Sequence, residues 1–184
     1  MSAVPEGLAY TARRVRRLGM PPGRDTRIVH ELDGILSPVP PAALLHVGGA
    51  LWAEWTRHPL HTAPDLLLGL DAGGILPAVA VALASGLPYR LAWKLDLDLP
   101  GKRSFSEPHA RRTDVYTYGD LTGTRVLIID DEVTTGHTIG NLAAVLRDAG
   151  AAVAGAACLV EDTSGGARAL LRLTGVPLCA LTRL

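Results

Sequence analysis

The stretch Val126-Leu127-Ile128-Ile129-Asp130-Asp131-Glu132-Val133-Thr134-Thr135-Gly136-His137-Thr138 decides the fold. Its four leading apolar residues, bounded by Arg125 and Asp130, read as a strand buried on both faces, the usual state of a parallel strand in an α/β sheet. The two acids then stand at the strand's carboxyl end, and a hydroxyl- and glycine-rich turn leads into a helix. Open α/β sheets take their ligands in the crevice beyond those strand ends, where a helix N-terminus offers free N–H groups to an anion. The residue types suit a sugar phosphate. Neighbouring ribose hydroxyls can donate to Asp130 and Asp131, while amides and hydroxyls from Thr134 to Thr138 hold a 5-phosphate. A plain strand-to-helix turn with solvated acids explains the strand and helix but not the acid doublet followed by Thr-Thr-Gly-x-Thr. The spacing of a Walker phosphate loop does not occur in this stretch.

Working outward, the pattern is regularly α/β from Asp65 onward. Leu66–Leu70 predicts a strand, Ile75–Ser85 a helix and Tyr89–Lys94 a strand, followed by a long polar segment over 95–112. Thr113–Tyr118 and Arg125–Asp130 read as strands, Ile139–Ala149 as a helix ended by Gly150. Ala152–Val160, Ala167–Leu173 and Leu178–Leu181 finish as strand, helix and strand. Upstream, residues 6–19 predict an amphipathic helix stopped by Gly19 and Pro21-Pro22-Gly23, and Pro41 opens a helix running to about His58. The expected architecture is α/β: a central, mostly parallel sheet flanked by helices, with an N-terminal helix and hood over 1–60 and a core over 61–184.

The 184 residues suit a single domain. A hydrophobic content of 48% excludes a disordered chain, and no apolar run approaches the roughly 18 residues of a spanning helix. Formal net charge is zero, so no global field recruits nucleic acid. Cys158 and Cys179 lie in apolar segments without a zinc or disulfide pattern. The first residues carry Arg13, Arg14, Arg16 and Arg17 but no apolar signal core, so cytoplasmic residence is expected, with partners among small molecules rather than nucleic acids or membranes.

The Val126–Thr138 segment closely resembles the phosphoribosyl pyrophosphate (PRPP) signature of the type I phosphoribosyltransferases, in which four hydrophobic residues precede two acids and a Thr-Gly-x-Thr-like loop. A second segment, Leu68-Gly69-Leu70-Asp71-Ala72-Gly73-Gly74-Ile75, looks like the pyrophosphate loop of the xanthine and adenine enzymes of that family. Ala72, Gly73 and Gly74 let the backbone approach a diphosphate, and the following helix aims its N-terminus at the charge. The resemblance covers about residues 64–184. It implies displacement of pyrophosphate from C1 of PRPP by a nitrogen of a purine-like base, with Mg²⁺ as cofactor held indirectly by Asp130 and Asp131 through ribose or water. It also implies a homodimer.

The same resemblance assigns Asp130, Asp131, Thr134, Thr135, Gly136, His137 and Thr138 to the ribose 5-phosphate, and Asp71, Ala72, Gly73, Gly74 and Lys94 to the pyrophosphate. The chain holds sixteen arginines but only two lysines, Lys94 and Lys102. Lys94 ends the strand that reaches the pyrophosphate in this family, although Trp93 replaces an arginine. Lys102 and Arg103 fall in the segment that in this family closes over the reacting centre, so the resemblance implies Lys94, Lys102 and Arg103 as catalytic cations. Glu161, at the end of the Ala152–Val160 strand, is the expected base contact. Several positions depart from the family. Thr134 stands where hypoxanthine and guanine enzymes carry a general-base Asp, Thr117 where adenine enzymes carry a catalytic Glu, and Gly73 where they carry an Arg. Glu132 stands where the signature is usually apolar. The competing reading is a PRPP-binding regulator of the purine-repressor kind without catalysis. It needs a DNA-binding appendage, for which the arginines of 13–17 are too few.

Overall fold

The computed structural model describes residues 10–20, 26–58, 61–107 and 114–184. Its centre is a five-stranded sheet, all neighbours parallel, in the order β4–β3–β7–β8–β9. The strands are β3 (Leu66–Leu70), β4 (Tyr89–Ala92), β7 (Arg125–Val133), β8 (Ala152–Glu161) and β9 (Leu178–Arg183). Two antiparallel hairpins stand outside it: β1 (Ala12–Arg16) with β2 (Thr26–His30), and β5 (Arg103–Ser106) with β6 (Asp114–Thr117).

Alternation along the buried strands sends side chains to both faces. Leu66, Leu68, Val126 and Ile128 pack under α3 (His137–Asp148) and α4 (Ala167–Leu173), whose Ile139, Leu142, Leu146 and Leu171 complete that core. Leu67, Leu127 and Ile129 face α1 (Pro41–Arg57) and α2 (Ile75–Ser85), meeting Val47, Leu51, Trp55, Ala78 and Val81. Helix α1 therefore belongs to the core layer. It approaches α2 through Gly48, where any Cβ would overlap the carbonyl of Ala80. The chain leaves β3 toward β4 on one side and returns to β7 on the other, so the switch point lies between the carboxyl ends of β3 and β7. That is where ligands enter open α/β sheets.

The core elements agree with the expectations from sequence, and three regions correct them. Residues 12–16 form strand β1, and residues 10–11 and 17–19 of the expected 6–19 helix are not helical either; residues 6–9 lie outside the described residues. Cross-strand pairing with β2 satisfies the backbone there, and Arg14 reaches Asp162 at 2.6 Å. The polar segment 95–112 is structured over its described part: β5 pairs with β6, Phe105 is buried, and the Asn141 amide donates to the Ser106 carbonyl at 2.9 Å. Residues 108–112 of that segment, and Thr113, lie outside the described residues. Finally, β7 runs on through the acids to Val133 because β8 continues to pair with it as far as Glu161.

Candidate active site

A cleft of about 400 Å³ opens at the switch point. Its floor is Leu70 to Gly73 after β3 and Asp130 to Val133 at the end of β7; Thr134, Thr135, Gly136 and Thr138 form one wall, and Lys94 another. Gly136 sits at φ 78°, a left-handed turn that brings the first turn of α3 against the cleft. The helix therefore offers its unpaired N–H groups there. The Asp71–Ala72 peptide is cis, and Asp71 accepts the Lys94 backbone N–H at 3.1 Å, tying the turn after β3 to the end of β4.

The acid doublet divides between the two faces of its strand, as alternation requires. Asp130 accepts the Asp131 backbone N–H at 3.0 Å. Burial, with the Asp131 charge beside it, pushes its carboxyl well above the usual carboxylate range. Asp131 lies against Gly73, where any Cβ would overlap its carboxyl group, and its Oδ2 stands 3.6 Å from Nε2 of His30. Burial pulls Asp131 upward too, but His30, Asp130 and Arg27 outweigh it and hold the carboxyl below its usual range. Glu132 accepts the Thr134 hydroxyl at 2.9 Å; burial raises its carboxyl against that opposing hydrogen bond.

The structure gathers most of the residues singled out in the sequence. Asp71, Ala72, Gly73, Lys94, Asp130, Asp131, Thr134, Thr135, Gly136 and Thr138 all line the cleft. Five others do not. Gly74 is buried behind the turn as the residue preceding α2, and His137 is exposed on the first turn of α3. Lys102 sits at the base of the β5–β6 hairpin, paired with Asp96 at 3.0 Å, and Arg103 donates to the Gly101 carbonyl at 3.1 Å. Glu161 is turned away into ion pairs with Arg168 at 2.6 Å and Arg183 at 3.0 Å, its carboxylate fully enclosed by them. Thr117 is likewise buried in β6, apart from the cleft.

Sequence reasoning missed what the hairpins bring. Arg17, Thr26 and Arg27 reach the cleft from the β1–β2 hairpin, and Glu107 reaches it from the end of β5, 2.8 Å from the Lys94 ammonium. No local spacing signals any of them, because each arrives through a pairing that only the tertiary fold creates. Among the described residues the lining includes the carboxylates of Asp71, Glu107, Asp130, Asp131 and Glu132 and the cations of Arg17, Arg27 and Lys94.

Fold and cleft together define a doubly wound α/β protein with a polar pocket at its switch point. A phosphoribosyl transferase domain model matches residues 41–170. The chain is 36% identical over 128 residues, 66% of its length, to a xanthine phosphoribosyltransferase of Chloroflexus aurantiacus, 61% of which is covered. It is 32% identical over 149 residues, 78% of its length, to an adenine phosphoribosyltransferase of Streptomyces avermitilis, 80% of which is covered. An adenine phosphoribosyltransferase structure from Thermoanaerobacter pseudethanolicus superposes with a TM-score of 0.73 at 20% identity, covering 94% of this chain and 95% of that one. The chain belongs to the phosphoribosyltransferase family, with the type I fold. Its match to the Chloroflexus protein and to an adenine phosphoribosyltransferase of Mycobacterium tuberculosis spans 61% and 58% of their respective lengths. Among the described residues, no helix is long and apolar enough to cross a membrane.

Proposed function

We propose that this protein transfers the ribose 5-phosphate of PRPP to a ring nitrogen of a purine-like base, releasing pyrophosphate. The observation that carries the reading is the convergence of the Asp130–Asp131 doublet, the Thr134–Thr138 turn at the N-terminus of α3 and the Asp71–Gly73 turn on one cleft. Ribose hydroxyls donate to the carboxylates, α3 receives the 5-phosphate, and the diphosphate lies along the Asp71–Gly73 backbone toward Lys94.

Asp130 and Asp131 stand side by side at the end of β7 on the cleft lining. Such a carboxylate pair suits Mg²⁺, which keeps several waters and binds through one or two carboxylates together with substrate oxygens. Asp130 and Asp131 are the residues to hold it, directly or through ribose and water. When bound, it neutralises charge growing on the diphosphate. Among the described residues no group of three or more His, Cys, Asp or Glu side chains is arranged to hold a metal.

In the reaction the C1–O bond breaks with its electron pair leaving on the diphosphate, and the acceptor nitrogen's lone pair forms the new C1–N bond. The Lys94 ammonium, taking the role expected of Lys102 and Arg103, exchanges Glu107 for the departing diphosphate. The acceptor's proton goes to Glu132, a cleft carboxylate whose raised affinity for protons suits a general base. A twofold dimer places partner surface on the exposed Tyr89, Leu95, Leu97 and Leu99 beside edge strand β4, and the compartment is cytoplasmic.

Incubation with PRPP, Mg²⁺ and a panel of purine and purine-like bases, read by pyrophosphate release, tests the proposal. Release with at least one base is expected. Lys94→Ala and Glu132→Gln should each lower kcat by about 10²-fold, while Lys102→Ala stays within a few-fold. No release with any base from protein that still binds PRPP overturns the transferase reading. A large loss in Lys102→Ala with none in Lys94→Ala returns the leaving-group role to the hairpin.

A further inference from the structure

The β1–β2 hairpin does more than cover the cleft: a buried chain of hydrogen-bonding groups runs from it to the ribose carboxylate. The Tyr10 hydroxyl lies 2.8 Å from Nδ1 of His30, and Nε2 of the same ring lies 3.6 Å from Oδ2 of Asp131. Tyr10 and His30 are 3% and 5% exposed, so bulk solvent does not reach these groups. Nε2 of His30 is buried without a hydrogen-bond partner within ordinary distance, which makes Asp131 the acceptor nearest to it.

The pattern of donors selects the tautomer. The Leu32 N–H donates to the Tyr10 oxygen at 3.3 Å, so that oxygen already serves as an acceptor. Its own proton then points to the ring nitrogen. Tyr10 O–H donating to Nδ1 makes that nitrogen the acceptor and leaves the ring N–H on Nε2, facing Asp131. Both members are anchored. The Tyr10 carbonyl accepts the Thr182 hydroxyl of β9 at 2.8 Å, and the His30 N–H donates to Asp33 at 3.0 Å. Asp131 is confined on another side by Gly73.

We infer that His30 is a positioning residue for the ribose site: Tyr10 fixes its Nε2–H tautomer, and that N–H aims the Asp131 carboxylate at the sugar, coupling the hairpin to PRPP binding. The inference rests on the ribose reading above. The gap of 3.6 Å is longer than a formed hydrogen bond, so the contact tightens when ligand draws Asp131 into place.

Two measurements test it. Nitrogen-15 spectra of the imidazoles are expected to show His30 as the Nε2–H tautomer, with its Nε2 signal shifting in Asp131→Asn and the tautomer lost or mixed in Tyr10→Phe. Calorimetric titration with PRPP and Mg²⁺ is expected to show affinity falling about tenfold or more in His30→Leu, with the KM for PRPP rising more than kcat falls. His30→Gln, whose amide can still donate toward Asp131, should recover most of that loss. A His30 proton on Nδ1, or a folded His30→Leu that binds PRPP like wild type, overturns the inference. Should the wild-type protein bind no PRPP while the Asp131→Asn shift persists, the ribose reading fails and the His30–Asp131 contact stands. If His30→Leu does not fold, the Gln variant decides: a loss as large as that of Asp131→Asn refutes the rescue and with it the positioning role.

Discussion

At the scale of the residue, Gly73 and Asp130 show two ways in which the cleft constrains its own chemistry. Gly73 has an ordinary negative-φ or extended backbone, since it is not among the positive-φ glycines, and what requires glycine is the Asp131 carboxyl group pressed against it. Gly73→Ala should therefore leave the melting temperature nearly unchanged while displacing Asp131 and weakening PRPP by roughly tenfold or more, the cost of losing a charge-assisted hydrogen bond. Calorimetry with unchanged affinity in Gly73→Ala would contradict the packing argument. Asp130 carries a stability cost. Its folded carboxyl lies well above the usual range through burial and then the Asp131 charge, so the folded state binds a proton that the unfolded chain releases. Stability consequently falls as pH rises from the ordinary carboxylate value of about 3.9, and stays reduced once the folded carboxyl has also ionised. Asp130→Asn should melt higher than wild type at pH 7, with the difference closing below about pH 4. A lower melting temperature for Asp130→Asn at pH 7 would count against that sign.

At the scale of the element, legibility followed the source of each element's stability. Strand β3 and helix α2 have the bounds expected from sequence, because a wholly apolar five-residue run and a Gly-bounded helix carry their signals locally. Strand β1 carries no such signal: Ala12 to Arg16 holds three arginines without alternation, and only pairing with β2 and the reach of Arg14 to Asp162 make it a strand. Strand β5 was hidden likewise, its partner lying across the 107–113 connection. The same reasoning explains the site. The residues on β7 and the turn after β3 were readable, whereas Arg27, Glu107 and His30 depend on hairpins whose position no neighbouring residue encodes. Glu161 looked available at a strand end, yet Arg168 and Arg183 from α4 and β9 had already claimed it. The Arg14–Asp162 pair gives an element-scale prediction. Arg14 lowers the Asp162 carboxyl foremost, so the pair's contribution is present above about pH 3.9 and lost as pH falls through the lower folded value. With Arg14 43% exposed and solvent screening the pair, the contribution is small. Arg14→Met should speed amide exchange in β1 and β2 at neutral pH while barely moving the global melting temperature. Unchanged exchange in the hairpin would show that the pair does not hold it.

At the scale of the whole molecule, the sheet order places everything. Because β3 and β7 are neighbours whose chains depart in opposite directions, the Asp71–Gly73 turn of one and the acid doublet of the other meet across a single crevice, with α3 directed into it and the N-terminal hairpin beside it. On the proposed reading one fold position would join the two halves of a PRPP molecule, and the sequence segments that supply them lie about sixty residues apart. The central claim is that the acids ending β7 hold the ribose. Titration of PRPP with Mg²⁺ into wild type and into an Asp130→Asn, Asp131→Asn double variant tests it most directly, with both proteins checked for an intact fold. Wild type should bind, and the double variant should bind at least ten- to a hundredfold more weakly, since each charge-assisted hydrogen bond to the ribose is worth about 1.5–3 kcal/mol. Equal PRPP affinity in the two proteins would contradict it.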